Sequence, residues 1–289
     1  MNQEGRTAST LETRESAVSL CDVCVKRGQF ILDHISLNIM DGERFCVLGK
    51  TGAGKTVLLE TIAGRLREET GEVLLFGHHV RSIKPQERGI GFVYQDYALF
   101  PNLTVKENIA FGPVSLKRPP DEIERDVRHM LDIFNIGRIQ DQYPHQISGG
   151  EAQRTALARA IIQKPRLLLL DEPFSALDRA IIQKPRLLLL DEPFSALDRA
   201  TREDMYRHFD RIWRTIGCTI LFVTHDFHEA IRFADRVAVL LDGKLRLVAS
   251  ASTLLQGQYE DDVSSFLGLK VADRFCDICD KGEINSEQI

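Results

Sequence analysis

The sequence has no long apolar run. Its longest leucine tracts are four residues, at 167–170 and 187–190, whereas a helix crossing a bilayer needs about 20 apolar residues. A membrane-spanning chain is therefore not expected. The opening stretch, MNQEGRTASTLETRESA, also lacks the apolar segment of a secretory signal, which points to a cytoplasmic chain. Positive charge is not in excess: 37 Lys and Arg stand against 42 Asp and Glu, a formal net charge of −5. Proteins whose main work is gripping nucleic-acid phosphates show the opposite balance, so nucleic acid is not an expected partner. No Pro/Gly/Ser-rich linker divides the chain. What is there, in 289 residues of which 43% are hydrophobic and 27% charged, is the composition of a soluble globular protein with a buried core.

One segment departs from that ordinary composition. RAIIQKPRLLLLDEPFSALD occurs at 159–178 and again, unchanged, at 179–198, and nothing else shares the period. Solenoids need three or more units and tolerate divergence between them. Two identical copies indicate a tandem duplication instead.

Along the chain, residues 1–17 read as a disordered tail, 18–269 as one folded unit and 270–289 as a polar C-terminal tail. Apolar runs suited to strands fill 18–48, with a turn at Asp41-Gly42. VLLETIAGRL has one apolar helical face, EVLLFG and IGFVYQ read as strands, and 119–137 reads as an amphipathic helix. ISGGEAQRTALARAII is a helix opened by Ser148, followed by the strand PRLLLLDE. A further helix over EDMYRHFDRIWRTIG, the strand CTILFVTHD, the helix HEAIRFA and a hairpin on Asp242-Gly243 complete the chain. Strands alternating with helices predict an α/β fold with a largely parallel sheet.

GKTGAGKT at 49–56 matches G-x-x-x-x-G-K-[ST] between an apolar strand and an apolar-faced helix, the context that distinguishes a phosphate loop from a Gly-rich surface turn. Gly49, Lys50, Thr51, Gly52, Ala53 and Gly54 are expected to wrap phosphate oxygens with backbone N–H groups, helped by the helix N-terminus. Lys55 is suited to the β- and γ-phosphates and the Thr56 hydroxyl to Mg2+. The LLLLDE strands supply the complementary half: Asp171 or Asp191 to hold Mg2+ through water, and Glu172 or Glu192 to polarise an attacking water. Two acids after a strand are by themselves more often a solvated turn; a phosphate loop in the same chain reverses that judgement.

At ISGGEAQR the chain resembles the ATP-binding subunits of ABC transporters, from about residue 18 to 269. GKTGAGKT is similar to their Walker A motif, Gln95 in VYQDYALFP to the Q-loop, and ISGGE at 147–151 to the LSGGQ signature. LLLLDEP is similar to Walker B, SALD to the D-loop, and His225 in VTHD to the switch histidine. Within the family the motifs look most like molybdate/tungstate importers, with sulfate-type importers close behind. The resemblance implies a P-loop NTPase cassette with a central, mainly parallel sheet, an antiparallel β subdomain and a helical subdomain. It implies a two-fold homodimer, or a pair with another ABC subunit, that sandwiches two ATP molecules. Ser148, Gly149 and Gly150 of one subunit would close on the γ-phosphate held by the other. His225 would contact the γ-phosphate, and Gln95 the Mg2+ and attacking water. It further implies membrane permease subunits docking near Tyr97–Pro101, an indirectly coupled substrate-binding protein, and a peripheral position on the cytoplasmic face of the membrane. Those aromatics also have a plainer reading as subdomain core.

Several departures bear on this. Where the family offers an aromatic to stack on adenine, this chain has Arg27, with Phe30 nearby. Ile147 and Glu151 replace the usual Leu and Gln, and with about 20 polar residues after Leu269 the regulatory β-barrel of larger importers is not expected. The spacing from Ser148 to Asp171 suits the first Walker B copy, and that from Asp198 to His225 suits the second. One sheet position cannot hold both strands. The surplus copy is therefore expected as an insertion at one edge or the other; both placements stand, with the second copy favoured at the site. An alternative function follows: a subunit that binds ATP but hydrolyses it poorly. A soluble ABC ATPase of the chromosome or ribosome type is a further rival. About 90 residues without heptads separate Walker A from the signature, and one cassette is present, which argues against it. Finally, CDVC at 21–24 and CDIC at 276–279 would form a zinc site if the fold joined them. The plainer reading is a strand and a tail, with Cys46 and Cys218 as core residues and His78, His79 and His228 on the surface.

Overall fold

The computed structural model describes residues 15–83, 88–94, 96–171, 185–195, 202–203, 206–207, 209, 217–254 and 259–268. Gln95, Glu172, Asp198 and the CDIC segment lie outside the described residues, so the expectations placed on them rest on sequence.

Two sheets organise the chain. The smaller is antiparallel. It has the order β2-β1-β4-β5, from β1 (Ser16–Arg27), β2 (Phe30–Met40), β4 (Thr70–Leu75) and β5 (His78–His79). β1 begins at Ser16, so the folded unit reaches slightly into the expected tail. The larger sheet has the order β11-β10-β3-β9-β8-β7-β6. Its strands are β3 (Arg44–Leu48), β6 (Ile90–Val93), β7 (Leu167–Asp171), β8 (Leu187–Asp191), β9 (Thr219–Thr224), β10 (Arg236–Leu241) and β11 (Lys244–Ser250). Every pairing is parallel except the β10–β11 hairpin. β3, β7, β8 and β9 are near-continuous apolar runs because parallel strands covered on both faces have no solvent side.

Among the described residues the α-helices are α1 (Lys55–Ile62), α2 (Val105–Ser115), α3 (Pro120–Ile133), α4 (Gly149–Ile161), α5 (Phe227–Phe233), α6 (Ala251–Leu254) and α7 (Asp261–Leu267). α1 shares a core with the antiparallel sheet on one face of the large sheet; α2 to α5 pack on the other. The α3 helix ends at Ile133, shorter than the expected 119–137, with Val127, Met130 and Leu131 buried as its apolar stripe predicts. The α2 helix was not expected from periodicity. It is started by a capping box in which Thr104 accepts from the Glu107 backbone N–H while the Glu107 carboxylate accepts from the Thr104 N–H.

The duplication is where structure and expectation part. A single sheet position indeed does not hold both strands. The sheet instead provides two: β7 from the first copy and β8 from the second lie side by side, parallel and in register, Leu167 opposite Leu187 through Asp171 opposite Asp191. All eight leucines are at most 5% exposed. Alternate leucines serve opposite faces: Leu167, Leu169, Leu187 and Leu189 enter the α1-side core, Leu168, Leu170, Leu188 and Leu190 the other. Burying a leucine is worth about 1.5–3 kcal/mol, so four extra leucines favour a place in the sheet over an exposed loop. The consequence is positional. β6, which leads to Gln95, pairs with β7 rather than with β8.

Candidate nucleotide site

The phosphate loop connects β3 to α1 and is tied to its neighbours through backbone. Gly49 N–H donates to Thr224 O at 3.2 Å, and Gly243 N–H donates to Ala53 O at 3.2 Å. Two glycines are required by geometry. A Cβ on Gly49 would lie 2.4 Å from the Leu240 carbonyl oxygen, and Gly54 sits at φ +104° with its virtual Cβ 2.5 Å from the Phe30 ring. Lys50, Thr51 and Gly52 are exposed, while Ala53 and Lys55 are buried. The Lys55 ammonium donates to Gly49 O at 2.8 Å and Lys50 O at 3.1 Å, curling back over its own loop.

The acids that meet this lysine come from the second copy. Glu192 Oε1 is 3.1 Å from Lys55 Nζ, and Glu192 Oε2 is 2.7 Å from His225 Nδ1. Glu192 reaches this position in a left-handed backbone conformation, φ +45°, held by its N–H donating to Val223 O at 3.1 Å. Strain of this kind is sustained only where surrounding structure imposes it. Asp191 is 7% exposed. Its carboxyl is pushed above the usual range, chiefly by burial, although a hydrogen bond with the Thr56 side chain opposes the shift. Thr56 and Asp191 thus lie together. Asp171 instead sits one strand away, opposite Asp191 in the register. The structure places Asp191 and Glu192 beside Thr56 and Lys55, and the first-copy aspartate one strand further along the sheet.

The signature segment lies on a separate element. Ser148 caps α4: its hydroxyl accepts from Glu151 N–H and donates to Glu151 Oε2 at 2.7 Å, and its N–H donates to the same carboxylate at 2.9 Å. Arg138 adds an ion pair to Glu151 at 2.8 Å. The Ser148 hydroxyl first, then the Ser148 N–H and Arg138, hold the Glu151 carboxyl down to about 2. Ser148 and Glu151 thus form a capping box. Ser148, Gly149 and Gly150 remain exposed at the N-terminal end of a 13-residue helix, where backbone N–H groups favour anions.

Of the two adenine-stacking candidates, Arg27 is paired with Glu60 at 3.0 Å, whereas Phe30 lies against Gly54 in the phosphate loop. The sequence reading missed a buried support behind His225. Glu229 accepts from Thr224 Oγ1 at 2.5 Å and from the Tyr206 hydroxyl at 3.0 Å. Thr224 Oγ1 in turn accepts from Asp226 N–H at 3.0 Å. Burial raises the Glu229 carboxyl above its ordinary range. The Asp226 cap three residues before Glu229 was the available signal.

A Gly-rich loop at the C-terminal edge of a parallel sheet, with a buried lysine, a threonine and an Asp-Glu pair converging on it, defines a P-loop nucleotide-binding protein. The comparisons narrow this class. Residues 32–175 match the ABC transporter family. The chain is 39% identical over 253 residues to the sulfate/thiosulfate import ATP-binding protein CysA of Mycolicibacterium paratuberculosis, covering 87% of this chain and 64% of that one. It is 38% identical to the molybdate/tungstate import ATP-binding protein WtpC of Thermococcus kodakarensis, covering 84% and 67%. The spermidine/putrescine import ATP-binding protein PotA of Oleidesulfovibrio alaskensis is 37% identical, with 82% and 58% covered. Among solved structures, a dimeric ATP-binding cassette in a post-hydrolysis state bound to ADP and Pi matches with TM-score 0.59 and 27% identity, covering 81% of this chain and 98% of that one. The chain belongs to the ABC transporter family, and the relatives named above are ATP-binding proteins of importers. It spans 58–67% of the length of these curated relatives.

Proposed function

We propose that this chain binds and hydrolyses ATP to energise an importer. The observation that carries the reading is the chain of contacts Lys55–Glu192–His225 at the mouth of the phosphate loop. On nucleotide entry, Lys55 exchanges its carbonyl and carboxylate partners for phosphate oxygens. Thr56 and Asp191 fit Mg2+: both offer oxygen ligands, and a buried acid destabilised by burial gains from a cation beside it. When bound, that ion offsets the negative charge of the β- and γ-phosphates. Glu192 takes a proton from water as the water oxygen bonds to the γ-phosphorus and the bond to the bridging oxygen of ADP breaks. His225 Nδ1 orients the Glu192 carboxylate, and the histidine would contact the γ-phosphate. Phe30 is the adenine-facing residue of the pair considered.

Two copies would enclose two nucleotides, the exposed Ser148–Gly150 turn of one closing on the loop of the other. Permease subunits would dock beside Tyr97–Pro101. Arg159 anchors that segment by donating to Ala98 O at 2.8 Å and Tyr97 O at 3.1 Å, while Phe100 packs against the exposed Phe111, the rings tilted by 38° with centroids 4.3 Å apart. Among the described residues, no helix is long and apolar enough to cross a membrane, consistent with a peripheral subunit on the cytoplasmic face that relies on such docking. For cargo we propose a tetrahedral oxyanion, molybdate or tungstate, delivered by a substrate-binding protein. The sequence motifs and the similarity to oxyanion importers support this, and ATPase stimulation in a reconstituted complex by spermidine rather than by molybdate would overturn it.

Placing β7 between β6 and β8 favours a second reading as well, in which ATP is held normally but turned over slowly. The assignment of the base is tested by Glu192→Gln and Glu172→Gln in the full chain. We expect kcat to fall on the order of 10²–10⁴-fold in the first with ATP affinity retained, and to be unchanged in the second. An equal loss in both would refute the choice of the second copy.

A further inference from the structure

The CDVC motif is not absorbed by the nucleotide site, and the structure gives one of its cysteines different partners from those the sequence suggested. β1 and β2 are irregularly paired here. The register jumps between Leu20 and Val23 and again between Val23 and Val25, with Val23 opposite Ile35 and Val25 opposite Leu32. Cys24 therefore stands alone against two residues of β2, Asp33 and His34, as in a bulge. Asp22 and His34 both take φ +53°, which turns their side chains onto the same spot.

The result is a mixed donor set. One ligand atom each from Cys24, Asp33 and His34 lie within 4.8 Å of one another. The His34 backbone N–H donates to Cys24 Sγ at 3.3 Å, which fixes the sulfur beside the ring. His34 Nδ1 meets Asp22 Oδ1 at 2.7 Å, leaving Nε2, 3.7 Å from Asp33 Oδ1, as the ring's free donor atom. A carboxylate on the other ring nitrogen is the usual way a ligating histidine is oriented. Asp33 Oδ2 is occupied by Lys244 Nζ at 3.0 Å, so Oδ1 is its available oxygen. The half-buried Cys24 and exposed His34 leave the fourth direction to water.

We propose that Cys24, Asp33 and His34 form a binding site for a borderline-soft divalent cation of the zinc class, with Asp22 as the positioning residue for His34. One sulfur, one imidazole nitrogen and one carboxylate oxygen plus water make a tetrahedral set suited to that cation and poorly suited to Mg2+ or Ca2+. The site clips β1 to β2 a few residues from Phe30, which lies against Gly54 of the phosphate loop. Cys21, exposed on the same strand, takes no part.

Cobalt(II) titration of the full chain tests this, since a thiolate ligand gives a sulfur-to-cobalt absorption band. We expect one equivalent bound with that band, no band in Cys24→Ser, and an unchanged band in Cys21→Ser. His34→Ala and Asp33→Asn should weaken binding tenfold or more, and Asp22→Asn about tenfold. Thermal unfolding and ATP binding serve as folding controls; if Cys24→Ser fails them, the exposed His34→Ala carries the test. A band that survives Cys24→Ser would overturn the proposal. So would a band lost on changing Cys276 and Cys279 to serine with Cys24 intact.

Discussion

Deleting one copy of the repeat is the most direct probe of this protein. Because the copies are identical, removal of 159–178 or of 179–198 yields the same shortened chain. In the full chain, β6 and β8 are separated by β7, and neighbouring strands lie about 4.8 Å apart. Everything carried beyond β7 is therefore displaced by one strand from Lys55, Asp191 and Glu192. That includes the strand leading to Gln95 and the α2–α4 region with Ser148. A misplacement of only about 1 Å in a reacting array can cost on the order of 10²-fold in rate, or about 2.7 kcal/mol of barrier. We expect the shortened chain, in which β6 pairs directly with the Asp-Glu strand, to release phosphate on the order of 10²-fold faster. Its affinity for a fluorescent ATP analogue should change less than about threefold, since β3, α1 and β9 form the phosphate loop's surroundings on the other side of β8. Phosphate release at saturating ATP reads the first quantity and an equilibrium titration the second. Equal turnover in the two chains would refute the claim that the inserted strand displaces working parts.

Two further predictions concern stability. Leu168 is fully buried in β7, so Leu168→Ala should cost about 2–5 kcal/mol in urea unfolding; a loss below about 0.5 kcal/mol, the surface value, would place the first copy outside the sheet. The Glu151 carboxyl, held down to about 2 by Ser148 and Arg138 against an ordinary 4.5, gives stability that is fully present above about pH 4.5 and is lost as pH falls towards 2. Glu151→Gln should therefore lower Tm most at neutral pH, with the gap closing progressively below pH 4.5; a gap that widens on acidification contradicts the assignment.

Much of the site was legible because it is locally encoded. GKTGAGKT carries its own geometry: Gly49 and Gly54 stand where a Cβ would strike the Leu240 carbonyl or the Phe30 ring, and Lys55 follows at the helix start. Ser148 with Glu151 writes a helix N-terminus into four residues. The same kind of signal, Thr104 with Glu107, stood before α2 but was overshadowed by weak periodicity in the helix it opens. Glu229 was not legible in the same way, since its partners Tyr206 and Thr224 come from elsewhere in the chain. Nor was the gathering of Cys24 with Asp33 and His34, which depends on an irregular register between β1 and β2.

The repeat separates the two kinds of information most cleanly. From the sequence came the phosphate loop, the alternation of strand and helix, and the fact that each LLLLDE run is a buried strand ending in two acids. Which run lies at the site was only weakly legible: spacing to the flanking motifs leaned towards the second copy, but two identical segments have identical propensities, patterns and motifs. Non-local contacts distinguish them directly. The second copy pairs with β9 and meets Lys55 and His225. The first, held between β6 and β8, is left as a structural strand.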